Sequence, residues 1–159
     1  MYRILAECYA NLCFAEKLKE FLGIEKIKFI HKKFYGRDHV IKKAERLSNN
    51  LIVIVDYEEG RYRVFIEKNF NLEYVCQNIL VGIRRGVKKY IAIVFDLNME
   101  EFVKSFRIKL EGKELKSKEA EKFFEKLRFF EMKDVKEILR KVAETALKYL
   151  REDVRKDDS

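Results

Sequence analysis

The run L-I-V-I-V-D-Y-E-E-G, Leu51 to Gly60, decides the fold. Five aliphatic residues in a row, four of them β-branched, favour a strand. Continuous apolarity, rather than alternation, implies burial on both faces, as in a parallel sheet covered by helices. The strand then ends without a break in Asp56, Tyr57, Glu58 and Glu59.

Working outward, Tyr2 to Ala6 is a short apolar run that reads as a first strand. The apolar residues Leu12, Phe14, Ala15, Leu18, Phe21 and Leu22 follow at helical spacing and stop at Gly23, a natural C-terminal cap. Lys26 to Ile30 reads as a second strand. Asp38 is placed to cap a helix carrying Val40, Ile41, Ala44 and Leu47. Beyond the acidic run, the alternation in Arg61 to Ile66 predicts a further short strand, either at an edge or in a hairpin. Leu72, Val75, Cys76, Ile79, Leu80 and Ile83 carry helical spacing, with Asn71 as the cap and Gly86 as the stop. Tyr90 to Phe95 predicts another aliphatic strand, again ending in an acid, Asp96.

The last third reads differently. Phe106, Ile108 and Leu110 alternate and lean toward strand. Ser117 to Phe130 reads as helix, and Asp134-x-x-Glu137 resembles a capping box before Val135, Ile138, Leu139, Val142, Ala146 and Leu150. The expected fold is α/β: a mainly parallel central sheet of about four strands flanked by helices, with a helical C-terminal extension. With no repeat and no Pro- or Ser-rich linker, residues 1–159 read as one domain. An α/β core covers 1–100, a mainly helical extension 101–153 and a disordered tail 154–159. The extension's Phe123, Phe124, Phe129 and Phe130 suit either a buried core or the face of a homodimer.

Composition narrows the function classes. The net charge is +8 with a pI near 9.3, which favours nucleic acid as partner, or else reflects a lysine-rich solubilised surface. Charged residues reach 39% and proline is absent. The wealth of lysine, glutamate and isoleucine is a thermophile's bias, without the loop prolines that often accompany it. No stretch nears the ~20 apolar residues of a membrane span, and the N-terminus does not read as a signal peptide. The chain is expected in the cytoplasm, with no membrane partner. Three cysteines without C-x-x-C spacing argue against both zinc and a disulfide framework. Neither a G-x-G-x-x-G fingerprint nor a P-loop supports nucleotide binding.

In open parallel sheets, ligands bind at the carboxyl ends of the strands. Glu7, Asp56, Glu58 and Asp96 all follow strands there. Such carboxylates repel one another unless they are protonated or neutralised by a hard cation such as Mg²⁺. The competing reading makes Asp96 a helix cap before N-M-E-E-F, and makes Glu58 to Gly60 a polar turn.

Three pieces, I-L-A-E at Ile4 to Glu7, Y-G-R-D at Tyr35 to Asp38 and I-V-I-V-D-Y-E at Ile52 to Glu58, together resemble the Toprim domain over roughly the first 100 residues. That domain is shared by topoisomerases, primases and overcoming-lysogenization-defect nucleases. The resemblance implies Glu7 as the acid–base carboxylate, with Asp56 and Glu58 holding Mg²⁺ or Mn²⁺ at a scissile phosphate. The expected activity is metal-dependent phosphodiester cleavage or transfer, as in a small nuclease; the alternative is a non-catalytic nucleic-acid-binding or interaction module on the same scaffold. The chain departs from the pattern at Cys8 (usually glycine), at Glu58 (usually aspartate) and at Gly36, where the family often has two glycines.

Basic groups complete the expectation. Lys33, Gly36 and Arg37 lie just before a helix N-terminus, a setting suited to phosphate. Arg61 and Arg63 flank the acids and either neutralise them or grip a strand of nucleic acid. Arg84 to Lys89 form a second basic run, at a position where cations at a helix end are expected anyway.

Overall fold

The computed structural model describes residues 2–31, 37–47, 49–86 and 88–157, with the backbone alone for 37, 38 and 152–157. The chain folds in the order β1 (Tyr2–Ala6), α1 (Tyr9–Leu22), β2 (Ile27–Ile30), α2 (Arg37–Leu47), β3 (Leu51–Asp56) and α3 (Arg61–Asn69). It continues through β4 (Phe70–Cys76), β5 (Ile79–Arg84), β6 (Ile91–Phe95), α4 (Met99–Lys104), α5 (Glu119–Leu127) and α6 (Lys133–Asp157). One six-stranded sheet has the order β2-β1-β3-β6-β5-β4. The first four strands in that order are parallel, whereas β5 runs antiparallel to both of its neighbours. The sheet is therefore mixed and six-stranded, not mainly parallel with about four strands.

β3 explains its own sequence. It is paired on both sides, by β1 and β6. Ile52 and Ile54 enter one apolar layer, with α1 and the C-terminal helices, while Leu51, Val53 and Val55 enter the other, under α2 and α3. Neither face meets water, so no position selects for polarity until the strand ends. The first layer is the larger. Phe102, wholly buried, meets Phe14 and Phe129 edge-on and Phe95 at a tilt, with ring centroids 5.4–6.1 Å apart. Phe124, Phe129 and Phe130 are buried and Phe123 is packed against them, so these aromatics belong to the core.

Several local expectations are corrected. Arg61 to Ile66 is helix: Tyr62, Phe65 and Ile66 sit at i, i+3, i+4 and face the second layer, and Val64 points outward. The aromatic and β-branched composition suggested a strand, but the exposed second face of the sheet needed a helix to cover it.

The stretch from Leu72 to Ile83 is the β4–β5 hairpin, turning at Gln77 and Asn78. Its apparent helical stripe mixes two faces. Leu72 and Leu80 go to one layer, and Val75, Cys76, Ile79 and Ile83 go to the other. A register irregularity between Tyr74 and Cys76 breaks the alternation that would have shown a strand. Asn71 accordingly lies in β4 and caps no helix.

Phe106, Ile108 and Leu110 form no strand. α4 ends at Lys104, and Arg107 turns the chain with a positive φ of 63°. These three side chains still pack against the large core. At the C-terminal end, α5 starts at Glu119 and stops at Leu127, so it is shorter than expected. The helix after it begins at Lys133, which places Asp134 inside the first turn and not at the cap. α6 runs through Asp157, beyond the point where a tail was expected. Among the described residues, no helix is long and apolar enough to cross a membrane.

Candidate functional site

The chain leaves β1 toward β2 on one side and then returns to place β3 on the other side of β1. The order therefore reverses between β1 and β3, and a crevice at their carboxyl ends is the expected ligand position. Glu7 and Asp56 stand there. The Glu7 backbone N–H donates to the Ile54 carbonyl (3.1 Å), continuing the ladder by one residue. Its carboxylate Oε2 accepts the backbone N–H of Asp56 at 2.8 Å. Asp56 Oδ1 in turn accepts the N–H of Met99, the first residue of α4, at 3.1 Å. Glu58 Oε1 accepts from the Asn98 amide at 3.3 Å.

Electrostatics mark Asp56 as the unusual member. Burial, then the nearby charges of Glu7, Glu100 and Glu58, push its carboxyl from 3.8 up to about 8, against the opposing pull of the Met99 N–H. At neutral pH the side chain is mostly protonated. Cys8, the N-cap of α1, lies in the same field: burial first, then Asp56, raises its thiol well above the ordinary range. It is a packed capping residue whose Sγ accepts the Asn11 N–H (3.5 Å), not a nucleophile.

The strand-end acids thus divide. Glu7, Glu58 and Glu100 all lie close enough to Asp56 for their charges to act on it. Asp96 does not cap α4; that cap is Asn98, whose Oδ1 accepts the Glu101 N–H at 2.9 Å. Asp96 instead accepts from the Tyr74 hydroxyl (2.8 Å) and lies 3.8 Å from Arg63. Arg63 also donates to the Tyr57 carbonyl (2.9 Å), pairs with Glu67 (3.2 Å) and lies over the Tyr57 ring at 4.3 Å. Its charge is spent within the protein. Glu58 to Gly60 does form a turn, but one that opens α3, with Gly60 at φ 137°.

Lys33 and Gly36 lie outside the described residues; Arg37 opens α2, with only its backbone described. Arg84 sits at the opposite edge of the sheet and is bound by Glu45 at 2.6 and 3.0 Å, so the second basic run begins as a structural anchor. Arg61 opens α3 with its guanidinium over Tyr62 (5.0 Å).

Three residues near this edge escaped the sequence reading. Glu100 follows the strand by five positions, and only its place in the first turn of a helix hinted at a role. Asn11 is wholly buried in the first turn of α1, and neither atom of its side-chain amide has a hydrogen-bond partner. His31 donates to or accepts from nothing through its buried Nε2, while its Nδ1 lies 3.0 Å from the Ala6 carbonyl at the end of β1. In one dimension, nothing distinguishes either from an ordinary helix or loop residue.

A hard divalent cation fits this donor set by charge. Carboxylates crowded enough to hold a proton near pH 8 gain most from a positive ion, and Mg²⁺ asks for only one or two of them beside water. Among the described residues, no group of three or more His, Cys, Asp or Glu side chains is placed to hold a metal ion, so any ion here would rest on one or two carboxylates and water. No protein-family model matches the chain, and no curated protein or solved structure matches it.

Proposed function

We propose that this chain cleaves or transfers phosphodiester bonds in nucleic acid, with Mg²⁺ or Mn²⁺ held by Asp56 and Glu58 and with Glu7 as the acid–base carboxylate. The observation that carries the reading is the placement of Asp56 at the topological switch point, with its N–H on the Glu7 carboxylate and its carboxyl in the field of Glu7, Glu100 and Glu58. A structural cap needs no such crowding, whereas a cation site produces it. The ion, when bound, supplies charge stabilisation at the phosphoryl oxygens. The chain does the rest. The Asp56 N–H fixes the orientation of the Glu7 carboxylate, and the Asn98 amide orients Glu58. The net charge of +8 draws the polyanion in.

A second reading, a non-catalytic nucleic-acid-binding module, has its own observation. Glu7 and Asp56 already satisfy backbone N–H groups of Asp56 and Met99, which is a structural occupation of both carboxylates. Calorimetric titration of Mn²⁺ into the chain and into Asp56→Asn separates the two. On the catalytic reading the wild-type chain binds Mn²⁺ with release of a proton at pH 7, binds more tightly at pH 8.5, and cuts labelled single- or double-stranded substrate. Asp56→Asn does neither. Absence of Mn²⁺ binding at pH 8.5, with and without an oligonucleotide, leaves the binding-module reading.

A further inference from the structure

α2 and α3 both leave the carboxyl edge of the sheet and lie side by side over its second face. Between them runs a groove of about 790 Å³. One wall is a stripe on α2, His39, Lys42, Lys43 and Arg46, at helical spacing i, i+3, i+4, i+7. The other wall is the first two turns of α3: Arg61, and the half-buried rings of Tyr62 and Phe65, each of which carries an arginine on one face, Arg61 at 5.0 Å and Arg84 at 5.4 Å. The lining's one acid is Glu45. Both of its oxygens are taken, by Arg84 at 2.6 and 3.0 Å and by the Tyr90 hydroxyl at 2.8 Å.

Cations on one wall and aromatic faces on the other are what a polynucleotide strand requires: its phosphates face the first and its bases stack on the second. The cations from Lys42 to Arg46 span about 6 Å along the helix. The length and the spread of charge exceed what a single phosphate group would use. A duplex presents no unstacked base to Tyr62 or Phe65. The geometry points to this groove as the seat of a single-stranded polynucleotide, threaded from the acidic edge along α2 and α3. The inference rests on the proposed reading that the substrate is nucleic acid, and it adds the strandedness and the path.

The test uses fluorescence anisotropy of fluorescein-labelled dT12 with the full chain, in EDTA, so that the outcome does not depend on any metal. Wild type is expected to bind dT12 more tightly than the same sequence in duplex form. The pair Lys42→Glu/Arg46→Glu, both exposed, weakens binding at least tenfold and lowers the salt slope by about two. Tyr62→Leu keeps the packing but loses the stacking face. It weakens dT12 binding about tenfold while leaving the affinity for polyphosphate of similar length unchanged. Wild-type affinity in the Lys42→Glu/Arg46→Glu variant, or equal losses for dT12 and polyphosphate in Tyr62→Leu, overturns the groove. Circular dichroism confirms that each variant is folded. Failure here leaves Mn²⁺ binding at Asp56 untouched, and loss of that binding leaves this one intact.

Discussion

If Asp56 is protonated in the fold, replacing it by its neutral isostere should abolish a definite pH dependence. In the unfolded chain an aspartate ionises near 3.8, whereas in the fold burial and the charges of Glu7, Glu100 and Glu58 raise this to about 8. Between those values the native state holds one more proton than the unfolded state. A raised carboxyl contributes its full stability below the unfolded value, and that stability drains away as pH climbs toward the folded one. The slope is about 1.4 kcal/mol per pH unit, so from pH 5 to pH 8 wild type loses on the order of 4 kcal/mol through this residue. For a chain of this length that is a fall of about 10 °C in Tm. Asp56→Asn retains an oxygen to accept the Met99 N–H and cannot ionise. Urea denaturation of both proteins in EDTA, at half-unit steps from pH 5 to pH 8.5, should show the mutant gaining on wild type by about 4 kcal/mol between pH 5 and pH 8. Parallel curves would mean that Asp56 is already charged at pH 5 and that the crowding argument for a cation is wrong.

Glu45 gives the opposite sign. Burial pushes it up, but the hydrogen bonds from Arg84 and Tyr90 outweigh burial and set it below the usual glutamate range. Its stabilising contribution is present above the unfolded value and disappears as pH falls through the folded one. Glu45→Ala should cost about 2 kcal/mol at pH 7, measured by urea denaturation, and less at pH 3. In Gly82→Ala the new Cβ would fall on the Asn71 carbonyl across the β4–β5 ladder. A loss of more than about 2 kcal/mol is expected, with amide exchange in Phe70–Cys76 accelerated beyond the rest of the sheet. The half-buried Cys8 thiol, raised by desolvation and by Asp56, should resist iodoacetamide at pH 8 in the native protein and react readily in urea, as read by peptide mass spectrometry.

The legible part of the fold was the part governed by one period at a time. β6, and β3 as far as Val55, are uninterrupted apolar runs, β1 is apolar except at Arg3, and α1 closes at Gly23 in the left-handed conformation that glycine favours. The region between Arg61 and Ile83 was not legible, because there the local signal and the tertiary demand disagree. R-Y-R-V-F-I is rich in strand formers, yet it must cover the second layer as a helix. The β4–β5 hairpin spreads its apolar residues over both layers, and the irregularity after Tyr74 shifts them into an apparent 3.6-residue spacing. Sheet order decides such cases, and it is a non-local property. Nothing in residues 70–84 announces that β5 will run antiparallel beside β6.

The site divides along the same line. Convergence of Glu7, Asp56 and Glu58 could be argued from sequence because parallel strands bring their carboxyl ends to one edge whatever the details of packing. The roles of the individual acids could not, since capping depends on where the next helix lands. The sequence offered Asp96 as the cap of α4; in the fold Asn98 takes that position, and Asp56, 43 residues before Met99, reaches across to the Met99 N–H. That contact does not exhaust Asp56. A capping carboxylate is ordinarily stabilised in its charged form by the N–H it meets and by the helix dipole, so a cap alone should lower its ionisation point. Here the balance lies the other way by several pH units, and the excess comes from burial and from Glu7, Glu58 and Glu100. A fold that needed only a cap at this position would be better served by asparagine or serine. The charge crowding is therefore the feature on which the proposed cation site rests.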